Sequence, residues 1–502
     1  MGAERLARSG LISLTGSAFA AVAALVVTSI VGNLLGASGT GLFFQAVGIF
    51  TILTQVLRLG TNSGVVRFIS AERAFDRTGA EWRIVLYAVV PVAAVSACAS
   101  IVLWLGAPGL ARWLAGPGEA SSLEELLQAM SPYVAVGAVI GVLQIAARML
   151  RGVGAFTLLQ SVLLPASRLL TVLIGTVVAL SASAAFQAWL WPLPFWLLVS
   201  ILVITAPFVR DFRLRHRFRD DRRATFRSFW RFNLPRALGA SLESVLEWAD
   251  VLIVAALASP EVAGVYAVAT RTVRVGGIVD KAMRVAVAPR TSSLLARGEL
   301  TESSRLHVRV VRAMILLNWP FYFLLISMGG SVLLVFGPEF VQGWAPMALM
   351  AAATMLQTAA GMLQSILLQG GRSTWQMYNK SLAVTISIAG NLLLVPLLGI
   401  WGAAITWVVV VVVDNALAAH QVHRRMGVHL APRALIVPAL LPLVVFGIGG
   451  AAFSWWGGVG FASLIVGTAT LSAVYAVVLW ALRRRIGIAG LWRHVPFIGR
   501  FA

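Results

Sequence analysis

Long apolar runs alternate with short polar connections from one end of the chain to the other, and each run has the length of a membrane-spanning helix. A span needs ~20 mostly apolar residues. Such runs lie at roughly 10–36, 41–66, 84–106, 128–149, 153–180, 184–209, 232–258, 262–288, 309–336, 341–368, 373–397, 399–420, 431–453 and 459–482. At that length the spans use about 280 residues, so no separate soluble domain fits between them. The pattern predicts an all-α polytopic membrane protein of about fourteen transmembrane helices. Ser17-Ala-Phe-Ala20 has the small-residue spacing of a signal-peptidase site, but the apolar stretch continues to about Leu35 and predicts a retained first helix.

The connections alternate in charge, and that alternation sets the expected orientation. With Arg5 and Arg8 inside, the even-numbered turns hold Arg67, Arg73, Arg77 and Arg83, then Arg148 and Arg151, then the Arg-rich stretch from Arg210 to Arg236. Later ones hold Arg290, Arg297, Arg305 and Arg309, then Arg372 and Lys380, then Arg424, Arg425 and Arg433, and last Arg483, Arg484 and Arg485. The odd-numbered turns hold one basic residue, Arg112, beside Glu119, Glu124, Glu125, Glu261 and Glu339. The expectation is a multi-pass protein of the inner (cytoplasmic) cell membrane with both termini in the cytoplasm.

Composition agrees with this placement. Hydrophobic residues make up 59% of the chain and charged ones only 12%, and the mean hydropathy is +0.87, so the apolar surface exceeds what a soluble core can use. The 40 Lys+Arg against 19 Asp+Glu are spread over short connections rather than gathered in one module, which reads as topology and not as nucleic-acid binding. Only Lys281 and Lys380 are lysines, a usage that carries little functional weight.

The eighth span carries Arg271, Arg274, Asp280, Lys281 and Arg284, enough charge for a hydropathy scan to pass over it. Without it, however, the basic 290–309 turn would face outward and every later turn would invert. An internal repeat makes the same point. Gly41-Leu-Phe-Phe-Gln-Ala echoes Gly264-Val-Tyr-Ala-Val-Ala at a separation of 264 − 41 = 223, which also sets Arg67 on Arg290 and Arg58 on Lys281. Gly152 and Phe156 echo Gly371 and Trp375. Six spans per unit predict two parallel six-helix repeats forming two lobes, residues 1–209 and 232–425, joined by a basic linker at 210–231. Two appended helices at 426–483 and a basic, bulky interfacial tail at 484–502 complete the chain. Such repeats place a substrate path between lobes near the midplane.

Charges inside spans mark the candidate chemistry, because a buried charge in lipid costs roughly 2.5–3.5 kcal/mol on insertion scales and usually faces a wet cavity. The second span puts Thr51, Thr54, Gln55, Arg58 and Asn62 on one helical face. The seventh aligns Glu243, Glu247 and Asp250, and the eighth aligns Arg271, Arg274 and Lys281. A cationic cavity built from Arg58, Arg271, Arg274, Lys281, Gln55 and Asn62 suits a phosphate or pyrophosphate, whose oxygens match the planar fork of arginine. Glu243, Glu247 and Asp250 would then be candidates for binding a coupling ion, as would Asp414 at the end of a valine run. The alternative is that Glu247 or Asp250 pairs with Arg271 or Arg274 and serves only insertion and packing. Gln144, Gln160, Arg168, Asn318, Gln357, Gln364, Gln376, Asn391 and Asn415 read as hydrogen-bond partners between helices.

Several chemistries find no support. The single cysteine, Cys98, sits in an apolar run and allows no intrachain disulfide or thiol metal site. His420 and His423 have metal-like spacing but no carboxylate or thiol nearby, so no metal or other cofactor is expected. Neither lysine lies in a phosphate-binding Gly-Lys-Ser/Thr loop, and no hydrolase pattern occurs, so the chain does not read as an enzyme.

Four segments together resemble the Wzx-type polysaccharide flippases of the multidrug/oligosaccharidyl-lipid/polysaccharide exporter (MOP) superfamily. They are Leu35-Gly-Ala-Ser-Gly-Thr-Gly-Leu-Phe43, Phe232-Asn-Leu-Pro-Arg236 with Asp250 beyond it, Gly264-Val-Tyr-Ala-Val-Ala-Thr-Arg271, and Val395-Pro-Leu-Leu-Gly-Ile-Trp-Gly-Ala-Ala404. The resemblance implies a V-shaped pair of lobes, alternating access, and transfer of an undecaprenyl-pyrophosphate-linked oligosaccharide from the cytoplasmic to the outer leaflet. It implies a monomer in contact with membrane lipids and working beside a polysaccharide polymerase and glycosyltransferases, and it places Arg58, Arg271 and Arg274 in a cationic cavity. Lipid II flippases of the same superfamily tend to carry basic residues within the first helix, where this chain has none beyond Arg8. Drug-exporting relatives bind cations through membrane carboxylates, so Glu247 and Asp250 keep a cation-coupled multidrug or small-molecule exporter as one alternative, and a lipid II flippase of the same superfamily is the other.

Overall fold

The computed structural model describes residues 2–74, 81–114, 120–210, 222–428 and 432–482, and every described element is helical. Residues 211–221 of the expected linker and the tail from 483 lie outside them, as do Arg77, Glu119 and His429. The chain divides into two compact units, Leu11–Gly264 and Met1–Gly10 with Val265–Ala502.

The first unit holds most of α1 (Gly2–Leu57), then α2 (Thr61–Ala74), α3 (Glu81–Leu114), α4 (Ala120–Arg151), α5 (Val153–Phe156), α6 (Leu164–Ala179), α7 (Ala182–Leu190), α8 (Pro192–Arg210) and α9 (Arg222–Leu257). The turn expected at 37–40 contracts to one kink in α1 at Gly36, whose φ of 67° suits glycine. The Thr40 hydroxyl donates to the Gly36 carbonyl at 2.6 Å and satisfies the backbone there. A π-helical turn at Thr157–Leu163 leads into α6.

α3 and α4 form the main helical pair of this unit. α3 buries Ala88, Val92, Ser96, Ser100, Ala107 and Ala111, a largely small-residue face that admits a neighbouring backbone closely. Ser96 satisfies its hydroxyl on the Val92 carbonyl at 2.6 Å rather than across the interface. Phe43, Phe44 and Phe186 interlock edge to face at the core of the unit. Close packing also ties the two echoing segments. A side chain at Gly41 would overlap the Pro260 carbonyl, and one at Gly264 would overlap the Ala37 carbonyl. Both pairs have one separation, 264 − 41 = 223 and 260 − 37 = 223, so these positions exchange equivalent contacts, as repeat-related segments do about a local two-fold axis.

The second unit holds most of α10 (Pro260–Val275), then α11 (Gly277–Ala296), α12 (Leu300–Leu334), α13 (Trp344–Ala360), α14 (Leu363–Gln369), α15 (Ser373–Leu398), α16 (Ile400–His420), α17 (Ile436–Pro442), α18 (Gly449–Gly457) and α19 (Phe461–Leu482). The polar eighth span exists and is broken: α10 and α11 meet at a 41° bend. The expected tenth span is broken as well, with α13 and α14 meeting at 42°. The appended helices pack on α12 through Leu324, Met328, Val445, Phe446, Leu471 and Tyr475, and the Tyr475 hydroxyl donates to the Leu316 carbonyl at 2.8 Å.

Among the described residues ten helices are long and apolar enough to cross a bilayer, or twelve if each bent pair is one span. The difference from fourteen has two physical sources. The first two expected spans both lie within Ile12–Arg73, which counts once, and α9, at 36 residues, is too charged to meet the apolar criterion. Large exposed apolar side chains such as Val178, Leu397, Trp455 and Trp456 are what a lipid-facing surface requires.

Candidate functional site: unpaired arginines at a helix break

α1 does not run into α2. The chain breaks over Arg58-Leu-Gly60, where Leu59 and Gly60 take φ of 51° and 71°, and Arg58 stands at the break. The freed Arg58 carbonyl accepts from the Thr61 amide at 3.0 Å and the Thr61 hydroxyl at 2.7 Å, which restarts the helix. Gly60 is needed for space as well as for φ, since a β-carbon there would lie 2.5 Å from the Asn233 carbonyl oxygen of α9. The expectation of an unbroken 41–66 span missed this. Its signal was Leu59-Gly60 followed by Thr61-Asn-Ser63, a breaker and then helix-starting residues.

The guanidinium of Arg58 lies against Gly141 of α4, where any side chain would overlap it. One turn earlier on each helix, Thr54 and Phe50 fill the space above Gly137. Phe50, Thr54 and Arg58 thus form an i, i+4, i+8 ridge set against two glycines. Arg58 Nη1 donates to Gln55 Oε1 at 3.2 Å, and its Nε is sealed without a partner. Among the described residues no carboxylate pairs with Arg58, which leaves Nη2 as its open donor. Asn62 also holds a buried, unpartnered Oδ1 on the far side of the break.

A second arginine joins this interior that the sequence placed only among the hydrogen-bonding positions. Arg168 of α6 lies 3.5 Å over the Trp189 ring, and its Nε is buried without a hydrogen-bond partner. Trp189 in turn meets Phe50 edge to face at 5.5 Å. Arg168 and Arg58 are therefore linked through one aromatic contact and two turns of α1. Nothing in the local sequence of Arg168 signalled this, because its partner is an aromatic face on another helix.

On α9, Glu243 and Glu247 are exposed while Asp250 is 4% exposed. Leu234 and Leu238, at 54% and 71%, mark a separate apolar face of the same helix. A carboxylate inside a bilayer avoids lipid, so wherever α9 lies within the membrane the Glu243/Glu247 face requires water. Asp250 turns inward, its Oδ1 accepting from the Val251 amide at 2.8 Å.

Residues 6–295, which include both arginines and the α9 carboxylates, match the family model described as "Polysaccharide biosynthesis protein". The chain belongs to that family. Its fold is shared with solved transporters of the MOP superfamily. A structure titled lipid II flippase MurJ in an inward closed conformation superposes with a TM-score of 0.71 at 11% identity, covering 95% of this chain and 100% of that one. An inward-facing multidrug resistance MATE family transporter gives 0.61 at 14% identity, covering 88% and 98%. An outward-facing MATE transporter gives 0.58 at 16%, covering 84% and 95%. A search of curated proteins finds no sequence match.

In the second unit of this polysaccharide biosynthesis family member, Arg271 and Arg274 are half-buried on α10, and the Arg274 guanidinium lies 5.1 Å over the Trp407 ring. Lys281 is exposed on α11. Asp414 is held from two sides: Lys380 Nζ pairs with Oδ2 at 2.8 Å, and Gln364 Nε2 donates to Oδ1 at 3.0 Å. Lys380, expected in a cytoplasmic turn, thus lies within α15 and answers the charge of Asp414. Lys380→Ala should lower the melting temperature in detergent, with a loss of stability near the low end of the ~3–5 kcal/mol for breaking a buried pair, since the Lys380 side chain keeps 29% exposure. The double change Lys380→Met with Asp414→Leu should recover most of that loss; a single variant as stable as the parent would refute the pair's role.

Proposed function

We propose that this protein is a secondary flippase that moves an undecaprenyl-pyrophosphate-linked oligosaccharide from the cytoplasmic to the outer leaflet of the cell membrane by alternating access. The observation that carries the reading is Arg58: a guanidinium inside a span, at a helix break, with an open donor and no carboxylate partner among the described residues. Membrane proteins keep such a charge where an anion or water meets it, and broken spans are where transporters place their substrate sites. A phosphoryl group offers two anionic oxygens that the planar fork of a guanidinium fits, with Arg168 as a second interior cation of the same unit. The water-requiring carboxylates of α9 support a hydrated path. Family membership and the MOP fold support a lipid-linked glycan as cargo, and a first helix without basic residues beyond Arg8 argues for an oligosaccharide carrier over lipid II.

The test uses the purified protein in vesicles, with a fluorophore-tagged polyprenyl-pyrophosphate disaccharide as probe and membrane-impermeant quenching as readout. Protein-dependent exchange of the probe between leaflets, competed by untagged pyrophosphate lipid, is the expected result. Expulsion of a cationic dye without movement of the probe would replace the reading with a cation-coupled exporter. Movement of neither would overturn it.

A further inference from the structure

The second unit contains an interior carboxylate that forms no ion pair among the described residues. Asp280 of α11 is 4% exposed and, among the described residues, forms no ion pair, in contrast to Asp414 with Lys380. Both of its oxygens are used by neutral donors from other helices. Asn318 Nδ2 of α12 donates to Oδ1, and the Thr358 hydroxyl of α13 donates to Oδ2 at 3.1 Å.

The positions of these three residues give the cluster its meaning. Asp280 follows the α10/α11 bend at Gly276 by one turn, and Thr358 precedes the α13/α14 break at Gly361 by three residues. Asn318 belongs to the long α12. One carboxylate therefore ties its own bent span to the other bent span of this unit and to the long α12. Other titratable groups face it sparsely. Arg284, one turn further along α11, acts on the Asp280 charge through space without forming an ion pair with it, and Lys281 is exposed. α12 brings Tyr322, fully buried, whose hydroxyl has no hydrogen-bond partner and occupies the notch left by Gly276. α12 also brings His307, whose ring meets the α13/α14 break at Gly361 and whose Nδ1 is buried without a partner. α13 and α14 carry no titratable residue.

We propose that Asp280 is a protonation-controlled latch. Charged, it accepts from Asn318 and Thr358 together and holds both bends. A proton taken from water forms an O–H on one oxygen, removes the interior negative charge, and gives up one of the two accepted bonds. The break at Gly361 is then free to straighten. Its use as the ion-coupling step rests on the transport reading above; the protonation and the unlatching do not. Glu243 and Glu247 are exposed, so their protonation releases no such tie.

The experiment compares wild type with Asp280→Asn in lipid nanodiscs between neutral and acidic pH. Infrared difference spectra should show a protonated-carboxyl band that appears on acidification and is missing in D280N. Hydrogen exchange at 357–369, corrected for the intrinsic rate, should rise roughly tenfold on acidification, the effect of losing one charge-assisted hydrogen bond. D280N should exchange fast at both pH values. Identical infrared bands in the two proteins, or exchange in wild type that ignores pH, would overturn the latch. Exchange that follows sodium at constant pH instead would overturn the proton as its ligand. Should D280N fail to fold, Thr358→Val carries the test: it must keep the band and raise exchange at neutral pH, and unchanged exchange refutes the proposal. Vesicle transport is not part of this readout, so failure of the probe to flip would leave the latch standing.

Discussion

Arg58→Ala is expected to lower glycan transfer by about ten- to a hundred-fold, the equivalent of a charge-assisted hydrogen bond of about 1.5–3 kcal/mol, while leaving expression and melting temperature near those of the parent. The stability half of this prediction follows from the surroundings. Among the described residues Arg58 has no ion pair to break, and its one side-chain hydrogen bond is to Gln55. Removing a lone interior cation also relieves a desolvation cost. Arg58→Lys should fall between, since a lysine keeps the charge but not the fork. The measurement is the initial rate of probe exchange in vesicles, with melting recorded on the same preparations. Full transfer by Arg58→Ala would mean that the guanidinium at the break does not meet the cargo, and the proposed function would lose its main support.

Gly141→Ala is expected to reproduce most of that loss without touching the arginine. Any β-carbon at 141 overlaps the guanidinium, so Arg58 must leave its slot on α4 and present its fork elsewhere. The distinguishing measurement is a double-mutant cycle. A lysine at 58 lacks the broad head that Gly141 accommodates, so Gly141→Ala should cost far less in the Arg58→Lys background than in the parent. Strictly additive losses would show that Gly141 serves helix packing alone. Gly137, one turn away, supplies the control: Gly137→Ala would press on Phe50 and Thr54, disturbing packing rather than the open nitrogen of Arg58.

Both variants rest on features of unequal visibility in the sequence. Arg58 was visible, because a basic residue in an apolar run is conspicuous in one dimension. The break that carries it was not, although Leu59-Gly60 and Thr61 held the signal, because a helix of that length and hydropathy reads as unbroken. Arg168 ranked low for the opposite reason: stacking on Trp189 leaves no periodic trace. Asp280 was seen only as one charge among five on the polar eighth span. Its neutral partners Asn318 and Thr358 lie 38 and 78 residues away, and no spacing rule connects them. Asp414 stood out within its valine run, yet whether it was free or paired depended on Lys380, 34 residues earlier on a neighbouring helix.

The amino-acid sequence alone determined that this protein is all-helical and crosses a membrane many times, which family it resembles, and which charges lie inside apolar runs. All of these follow from local terms: run length against bilayer thickness, and the cost of charge in lipid. Tertiary structure decided which of those charges are answered. Pairing, stacking and bending depend on contacts between helices distant in sequence, and the low dielectric of the interior makes each such contact the difference between a silent ion pair and a reactive group.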